Sequence, residues 1–328
     1  MKNIQADIKS GNFKQVYLLY GEEAYLKQQY KQNLVKALNP DGDTMNFNHY
    51  EGKGIDVKQL IDLCETMPFF AERRVVLLED TGFFKNKCEE LADYMKELPD
   101  YLYLIFAETE VDKRNRMYKA VKACGSIAEF IRQDEKTLMR WAAGILGKAG
   151  KKITQRDIEL LLTKTGTDMG NLRMEMEKLI SYTEGRDVVT AEDIEEICTT
   201  QTTNRIFDMV RAVTEKNQKR ALELYYDLLT LKEPPMRILF LLAKQYRQLL
   251  LAKQFAAAGL AQTEIASKLG VPGFVVRNIT TCARAYAISE LEQAVKDFVD
   301  AEESVKTGRL EDKLSVELLI IKYSSKVK

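Results

Sequence analysis

The arrangement of apolar residues along the chain changes near residue 133, and this change limits the folds that the chain can adopt. Before it, short runs rich in Val, Ile, Leu, Phe and Tyr alternate with stretches long enough to hold a helix. The runs cover residues 16–20, 45–50, 75–78, 101–106 and 126–131. Apolar runs of this kind, separated by helical stretches, are typical of βαβ units, in which helices cover both faces of a parallel sheet. The sequence therefore predicts an α/β domain with a parallel five-stranded sheet at residues 1–133.

After residue 133 the strand-like runs stop, and the rest of the chain has the apolar spacing of helices. Short stretches predict a small helical domain at 134–203, and longer ones predict an all-α domain at 204–328. The predicted long helices cover residues 206–214, 218–231, 235–257, 289–307 and 311 onwards. Thr154, Thr190 and Ser289 each stand three positions before an acidic residue, which is the spacing of a helix N-cap. A chain of 328 residues is long enough for three such domains.

The composition excludes several classes of function. Because 49 basic residues balance 49 acidic ones, no net charge draws the chain onto nucleic acid. Residues 205–328 carry an excess of about five basic residues, which favours this part as the end near DNA, although a solvated helical surface explains it equally well. The five cysteines form no CxxC pair, and the single histidine, His49, lies in a strand-like run. Neither a zinc site nor a histidine-based catalytic set is indicated.

No apolar run approaches the length of a membrane span, and the N-terminal residues lack the apolar core of a signal peptide. We therefore expect a cytoplasmic protein with no membrane partner.

The first predicted strand runs directly into residues 21–28, here called the phosphate-loop segment. A phosphate-binding loop has the pattern G-x-x-x-x-G-K-[ST], in which the glycines let backbone N–H groups reach the phosphates and the last hydroxyl binds Mg²⁺. Gly21 and Lys27 occupy two of these positions, but Leu26 replaces the second glycine and Gln28 replaces the hydroxyl. The spacing matches the loop, whereas the chemistry does not.

Two interpretations of this segment are open. It is either an unrelated strand–turn–helix with a chance glycine and lysine, or an ATPase fold whose nucleotide site has decayed. The run at 75–78 ends in Glu79 and Asp80, near where an ATPase carries its acidic metal- and water-positioning pair, but in inverted order. Glu22 and Glu23 add negative charge where a polyphosphate would lie. The decayed site is favoured, and we expect no catalytic residue, no cofactor and no metal.

Six segments of the chain carry a recognisable pattern: residues 16–23, 67–74, 161–179, 204–209, 233–238 and 300–309. No single segment is as specific as a zinc signature, but their order and spacing span almost the whole chain. Together they resemble one family, the delta subunit of the bacterial DNA polymerase III clamp loader.

The resemblance implies a fold, a function and a set of partners. The fold is an AAA+-like α/β domain without ATP turnover, followed by a helical lid domain and an all-α domain that joins the other loader subunits in a collar. The function is non-catalytic: the first domain binds the ring-shaped sliding clamp and helps to open it for loading onto primed DNA. The partners are the clamp, ATPase subunits of the gamma/tau type, a delta-prime type subunit, and primed DNA through the assembly.

The candidate clamp contact is residues 67–70, here called the apolar loop, which comprises Met67, Pro68, Phe69 and Phe70. It follows a helical stretch at 57–66 and precedes the strand at 75, so we expect it at an exposed connection. Large apolar side chains on such a corner need a partner. The alternative from the residues alone is that Phe69 and Phe70 cap the core of the sheet. The resemblance favours the clamp contact, with one of the two rings free to turn inward.

Two other functions remain as alternatives. Ala266, Gly270 and Val276 have the spacing of a helix-turn-helix, which suggests a DNA-binding regulator with an α/β effector domain. Its second helix carries polar residues such as Arg277, but it is also heavily apolar at Phe274, Val275, Val276 and Ile279, which suits packing in a helical collar better. The other alternative is an active ATPase with a variant phosphate loop.

Overall fold

The structure of the protein is a computed structural model that describes residues 2–199 and 202–325. Its contacts divide the chain into two compact units, one ending at Gln133 and the other beginning at Asp134. The first unit combines strands and helices, and the second is helical. A further division of the second unit at residue 203 stays a prediction.

The α/β unit alternates strands and helices along the chain, as its apolar runs predicted. In chain order its elements are α1 (Lys2–Ser10), β1 (Val16–Tyr20), α2 (Ala24–Leu38), β2 (Phe47–Glu51), α3 (Val57–Glu65), β3 (Arg74–Glu79), α4 (Glu89–Tyr94), β4 (Leu102–Glu108), α5 (Arg116–Cys124) and β5 (Ser126–Glu129).

The five strands form one parallel sheet in the order β2-β3-β4-β1-β5. Strand β1 lies between β4 and β5 and is wholly buried. Alternate side chains of a strand point to opposite faces, and Val16 and Leu18 accordingly belong to one hydrophobic core while Tyr17 and Leu19 belong to the other. Helices therefore cover both faces, and the predicted parallel five-stranded α/β fold is confirmed.

The helical unit contains eleven helices within the described residues. They are α6 (Glu135–Lys148), α7 (Gln155–Thr165), α8 (Met169–Tyr182), α9 (Ala191–Ile197), α10 (Thr202–Thr214), α11 (Gln218–Thr230), α12 (Pro235–Ala257), α13 (Gln262–Leu269), α14 (Gly273–Ala283), α15 (Ile288–Lys306) and α16 (Asp312–Ser324).

Side-chain caps define where several of these helices begin. Thr154 and Thr190 accept hydrogen bonds from the backbone N–H groups of the third residues of α7 and α9, as predicted. The prediction that Ser289 caps a helix is wrong, because α15 begins at Ile288 and places Ser289 in its first turn. The reciprocal bond at this end instead joins the Ala287 N–H to the Glu290 carboxylate at 2.6 Å.

The longer helices of this unit pack around α12, whose buried side chains include Leu242, Tyr246 and Leu249. The Tyr246 hydroxyl lies 3.2 Å from that of Tyr286, which satisfies both polar groups inside the core. Across residues 2–199 and 202–325, no helix is both long enough and apolar enough to cross a membrane.

Candidate functional site

The connections of the α/β unit gather at two opposite edges of its sheet. Because the strands are parallel, the segments that follow β1, β3 and β4 meet at the carboxyl edge. This edge holds the phosphate-loop segment. The segments that precede β2 and β3 meet at the amino edge, and the second of them contains the apolar loop. The two sets of predicted site residues are therefore well separated.

Gly21 has a structural reason at the carboxyl edge that does not depend on phosphate. Its φ of 122° lies in the region that favours glycine. A Cβ at this position would lie 2.3 Å from the carbonyl oxygen of Phe130. The same oxygen accepts a hydrogen bond from the Glu23 N–H at 3.0 Å. The turn packs so closely against Phe130 that only glycine fits.

The other residues of the phosphate-loop segment make internal contacts or face solvent. Leu26 is half-buried and packs against the core on one face of the sheet. The Lys27 ammonium donates to the carbonyl oxygen of Glu108 at 3.0 Å, and burial lowers the pKa of Lys27. Gln28 is exposed. Burial also raises the pKa of the Glu108 carboxyl, which accepts hydrogen bonds from the N–H and hydroxyl of Thr81 at 3.1 and 2.5 Å.

The inverted acidic pair is likewise engaged by neighbouring side chains. Glu79 forms an ion pair with Lys31 at 2.6 Å, and its carboxylate lies 2.9 Å from the Nε2 of His49. Asp80 accepts hydrogen bonds from the N–H and hydroxyl of Thr109 at 3.0 and 2.7 Å. Lys27, Glu79 and Asp80, which the sequence analysis assigned to a decayed nucleotide site, are thus engaged in internal bonds at the carboxyl edge.

The apolar loop presents three large side chains to solvent. Phe70 is 95% exposed, Met67 is 75% exposed and Phe69 is 55% exposed, while Pro68 is half-buried. The rings of Phe69 and Phe70 meet edge to face with their centroids 4.4 Å apart. An exposed apolar patch of this kind is a candidate interaction surface.

The backbone of the loop directs the last of these rings outward. Phe70 has a φ of 51°, in the left-handed region that residues with a Cβ seldom adopt. Such a conformation persists only where the surrounding contacts hold it.

Two buried polar side chains hold the apolar loop from beneath. The Asn46 carboxamide accepts a hydrogen bond from the Phe69 N–H at 2.6 Å and donates to the Phe69 carbonyl at 2.8 Å. The Arg74 guanidinium donates to the carbonyl oxygens of Thr66 at 2.8 Å and Met67 at 3.3 Å. Sequence reasoning assigned neither residue a role. The available signals were an Asn inside an apolar run and an Arg at the start of a buried strand.

The predicted helix-turn-helix forms as α13 and α14, with Gly270 in the left-handed conformation between them. Val276 and Ile279 of α14 are buried in the core of the helical unit. The guanidinium of Arg277 lies 3.7 Å from the Glu135 carboxylate, and the side chain of Phe274 lies outside the described residues. Much of the second helix is therefore committed to packing inside the unit.

Sequence models of one family match both units. The model described as DNA polymerase III, delta subunit, matches residues 17–130, and that described as DNA polymerase III delta subunit, C-terminal domain, matches residues 203–323. The chain belongs to the DNA polymerase III delta-subunit family. The resemblance inferred from the sequence is confirmed, and no comparison supports the helix-turn-helix regulator.

Two curated relatives extend this match across species. The chain is 26% identical over 332 residues to the DNA polymerase III subunit delta of Bacillus subtilis, with 97% of this chain and 95% of the relative covered. It is 22% identical over 269 residues to a probable DNA polymerase III subunit delta of Aquifex aeolicus, with 78% and 75% covered.

The solved structure of the Bacillus subtilis DNA clamp loader delta protein has the same fold. It superimposes with a TM-score of 0.68 at 23% identity and covers 99% of both chains. The predicted fold class is therefore confirmed along the length of the chain.

Proposed function

We propose that this delta subunit is a non-catalytic, clamp-opening component of a replicative clamp loader and acts in the cytoplasm. Its α/β unit binds the ring-shaped sliding clamp through the apolar loop and helps to open one interface of the ring for loading onto primed DNA. The observation that carries the proposal is the exposure of Met67, Phe69 and Phe70 at the amino edge of the sheet.

The exposed rings are suited to an apolar pocket on the partner. Burying one Phe side chain contributes about 1.5–3 kcal/mol from its area. Central aromatic anchors of an interface commonly cost at least about 2 kcal/mol when they are truncated. Two adjacent rings at the tip of one connection thus provide enough apolar surface to dominate the clamp contact.

The bonds at the carboxyl edge support the proposed absence of ATP turnover. The Lys27 ammonium is already bound to the Glu108 carbonyl. Leu26 replaces the second glycine of the phosphate-loop pattern, and Gln28 supplies no hydroxyl for Mg²⁺. ATP hydrolysis in the loader then belongs to other subunits.

The helical unit joins the other loader subunits, which are of the gamma/tau and delta-prime types, and primed DNA is reached through the assembly. One support is a stripe on α16 formed by Leu314, Leu318 and Ile321, which are 41%, 48% and 39% exposed. Their spacing places them on one face of the helix. A partly exposed apolar stripe of this kind suits packing against another subunit.

The direct experiment compares clamp binding and stability in the double variant Phe69→Ala, Phe70→Ala. Clamp affinity should fall well over tenfold, since two anchors are removed, while the melting temperature stays close to that of the wild type. Ile131→Ala is a matched control, because Ile131 is 61% exposed and follows β5, away from the amino edge. Normal clamp binding by a folded double variant would remove the apolar loop from the clamp contact.

A further inference from the structure

The apolar loop is held by hydrogen bonds from buried polar side chains, although its own large side chains add little to the core. Its three large side chains are exposed, so they contribute little to the core of the α/β unit. Yet two polar side chains next to the loop are almost completely buried: Asn46 is 4% exposed and Arg74 is 5% exposed. Asn46 forms hydrogen bonds with the backbone of Phe69, and Arg74 donates to the carbonyl oxygens of Thr66 and Met67.

Asn46 joins two connections of the amino edge. Its carboxamide pairs with both the N–H and the carbonyl of Phe69, as a neighbouring strand would do. Its amide nitrogen also donates to the Asp43 carboxylate at 2.6 Å, and Asp43 in turn accepts from the Met45 N–H at 2.8 Å. The segment before β2 and the apolar loop are thereby fixed to each other.

Arg74 fixes the start of the loop. Its guanidinium donates to the carbonyl oxygens of Thr66 and Met67 and, at 3.1 Å, to the Asn48 side chain of β2. These acceptors span the end of α3, the loop and the adjacent strand. The planar guanidinium can satisfy all three at once, which the single ammonium of a lysine cannot do in the same geometry.

We infer that Asn46 and Arg74 are positioning residues for the clamp contact: they hold the apolar loop in its docking conformation before the partner arrives. This inference rests on the proposed function of the loop. Preorganisation raises affinity because the ordering of the loop is completed before binding. It also accounts for Phe70, whose left-handed backbone follows directly after the residue that Asn46 fixes.

The test is clamp affinity of the full-length chain with Asn46→Ala in two backgrounds, wild type and Phe70→Ala. In the wild type, Asn46→Ala should weaken clamp binding about tenfold, as expected when a preset anchor becomes mobile. In the Phe70→Ala background the same change should have a clearly smaller effect, because part of what Asn46 positions is gone. Equal losses in both backgrounds would overturn the inference.

Asn115→Ala is the matched control. Asn115 also bridges connections through its side chain, accepting from the Met117 N–H at 2.9 Å and donating to the Asn86 carbonyl at 2.8 Å. It follows β4 and lies on the carboxyl side of the sheet. Its removal should lower stability comparably and change clamp affinity less than about twofold. A loss of affinity equal to that of Asn46→Ala would show that general destabilisation is the cause.

A second variant and a second readout cover the case in which Asn46→Ala does not fold. Arg74→Lys keeps the charge and should weaken clamp binding while lowering the protection of the loop amides in hydrogen exchange. Unchanged protection and unchanged affinity would overturn the role of Arg74. If Phe69→Ala, Phe70→Ala binds the clamp normally, the proposed function fails instead. If that variant loses binding but the Asn46 and Arg74 variants do not, only the present inference fails.

Discussion

Replacing Phe70 by glycine should abolish most clamp binding without destabilising the protein. The side chain is 95% exposed, so its removal leaves no cavity in the core. Its φ of 51° strains a residue with a Cβ by about 1–2 kcal/mol, and glycine removes that strain. Glycine also gives the unfolded chain more conformational entropy, which lowers the free energy of unfolding by about 0.4–1 kcal/mol. Loss of the ring contact with Phe69 lowers it by a further amount of about 0.5–1.5 kcal/mol.

These opposing contributions leave the free energy of unfolding within about 1.5 kcal/mol of the wild type. The melting temperature should therefore shift by no more than about 8 °C for a unit of this size. Clamp affinity should fall by at least about 2 kcal/mol, or about thirtyfold, because a central aromatic anchor is lost.

The assay pairs thermal unfolding with equilibrium clamp binding, and Phe84→Ala serves as the comparison. Phe84 is fully buried, so its truncation should cost about 3–5 kcal/mol of stability while the folded protein still binds the clamp. If Phe70→Gly is destabilised as much as Phe84→Ala, the Phe70 ring contributes to the core and the prediction is wrong. It is also refuted if Phe70→Gly binds the clamp with unchanged affinity.

Three further predictions concern the rest of the chain. The purified protein should show no ATPase activity above background, and turnover by the wild type would contradict this. The double variant Leu26→Gly, Gln28→Thr should not bind ATP in calorimetry either, because the Lys27 ammonium stays bound to the Glu108 carbonyl. Residues 205–328 should fold alone and co-purify with the ATPase subunits. Co-purification of a fragment ending near residue 200 would contradict the proposal that residues 205–328 carry the contacts with the other subunits. Since burial raises the pKa of Glu108, the folded state retains a proton that the unfolded state loses, and stability should decrease as the pH rises through that pKa. The melting temperature of the wild type relative to Glu108→Gln should then fall as the pH rises above the ordinary pKa of a glutamate, about 4.3. A difference that stays constant with pH would show that Glu108 does not titrate in this way.

Strands β1, β3 and β4 could be predicted because each is a short apolar run that is buried on both faces of the sheet. The run at 75–78 became β3 with one residue added at each end. The run at 126–131 was predicted too long, since β5 ends at Glu129 and Phe130 instead closes the turn at Gly21. Helix starts could be predicted where a side chain caps the first turn, as at Thr190. At Ser289 the same spacing misled, because the reciprocal bond forms two residues earlier.

The exposure of the apolar loop was expected from its place between a helix and a strand, but its anchoring could not be seen in the sequence. Asn46 and Phe69 are 23 positions apart and meet only because β2 and β3 pair side by side. Gly21 presents the same difficulty. The sequence pattern assigned it to a decayed phosphate loop, whereas its close contact is with Phe130, a residue far away in the chain.

The proposed clamp contact can be measured by mixing the purified, full-length chain with the sliding clamp of the same cell, without nucleotide or other loader subunits. Complex formation is measured by gel filtration and by equilibrium binding. We expect a stable complex that forms without ATP and is lost in the folded Phe69→Ala, Phe70→Ala variant. No detectable binding by the folded wild-type chain, or equal binding by the wild type and the variant, would contradict it.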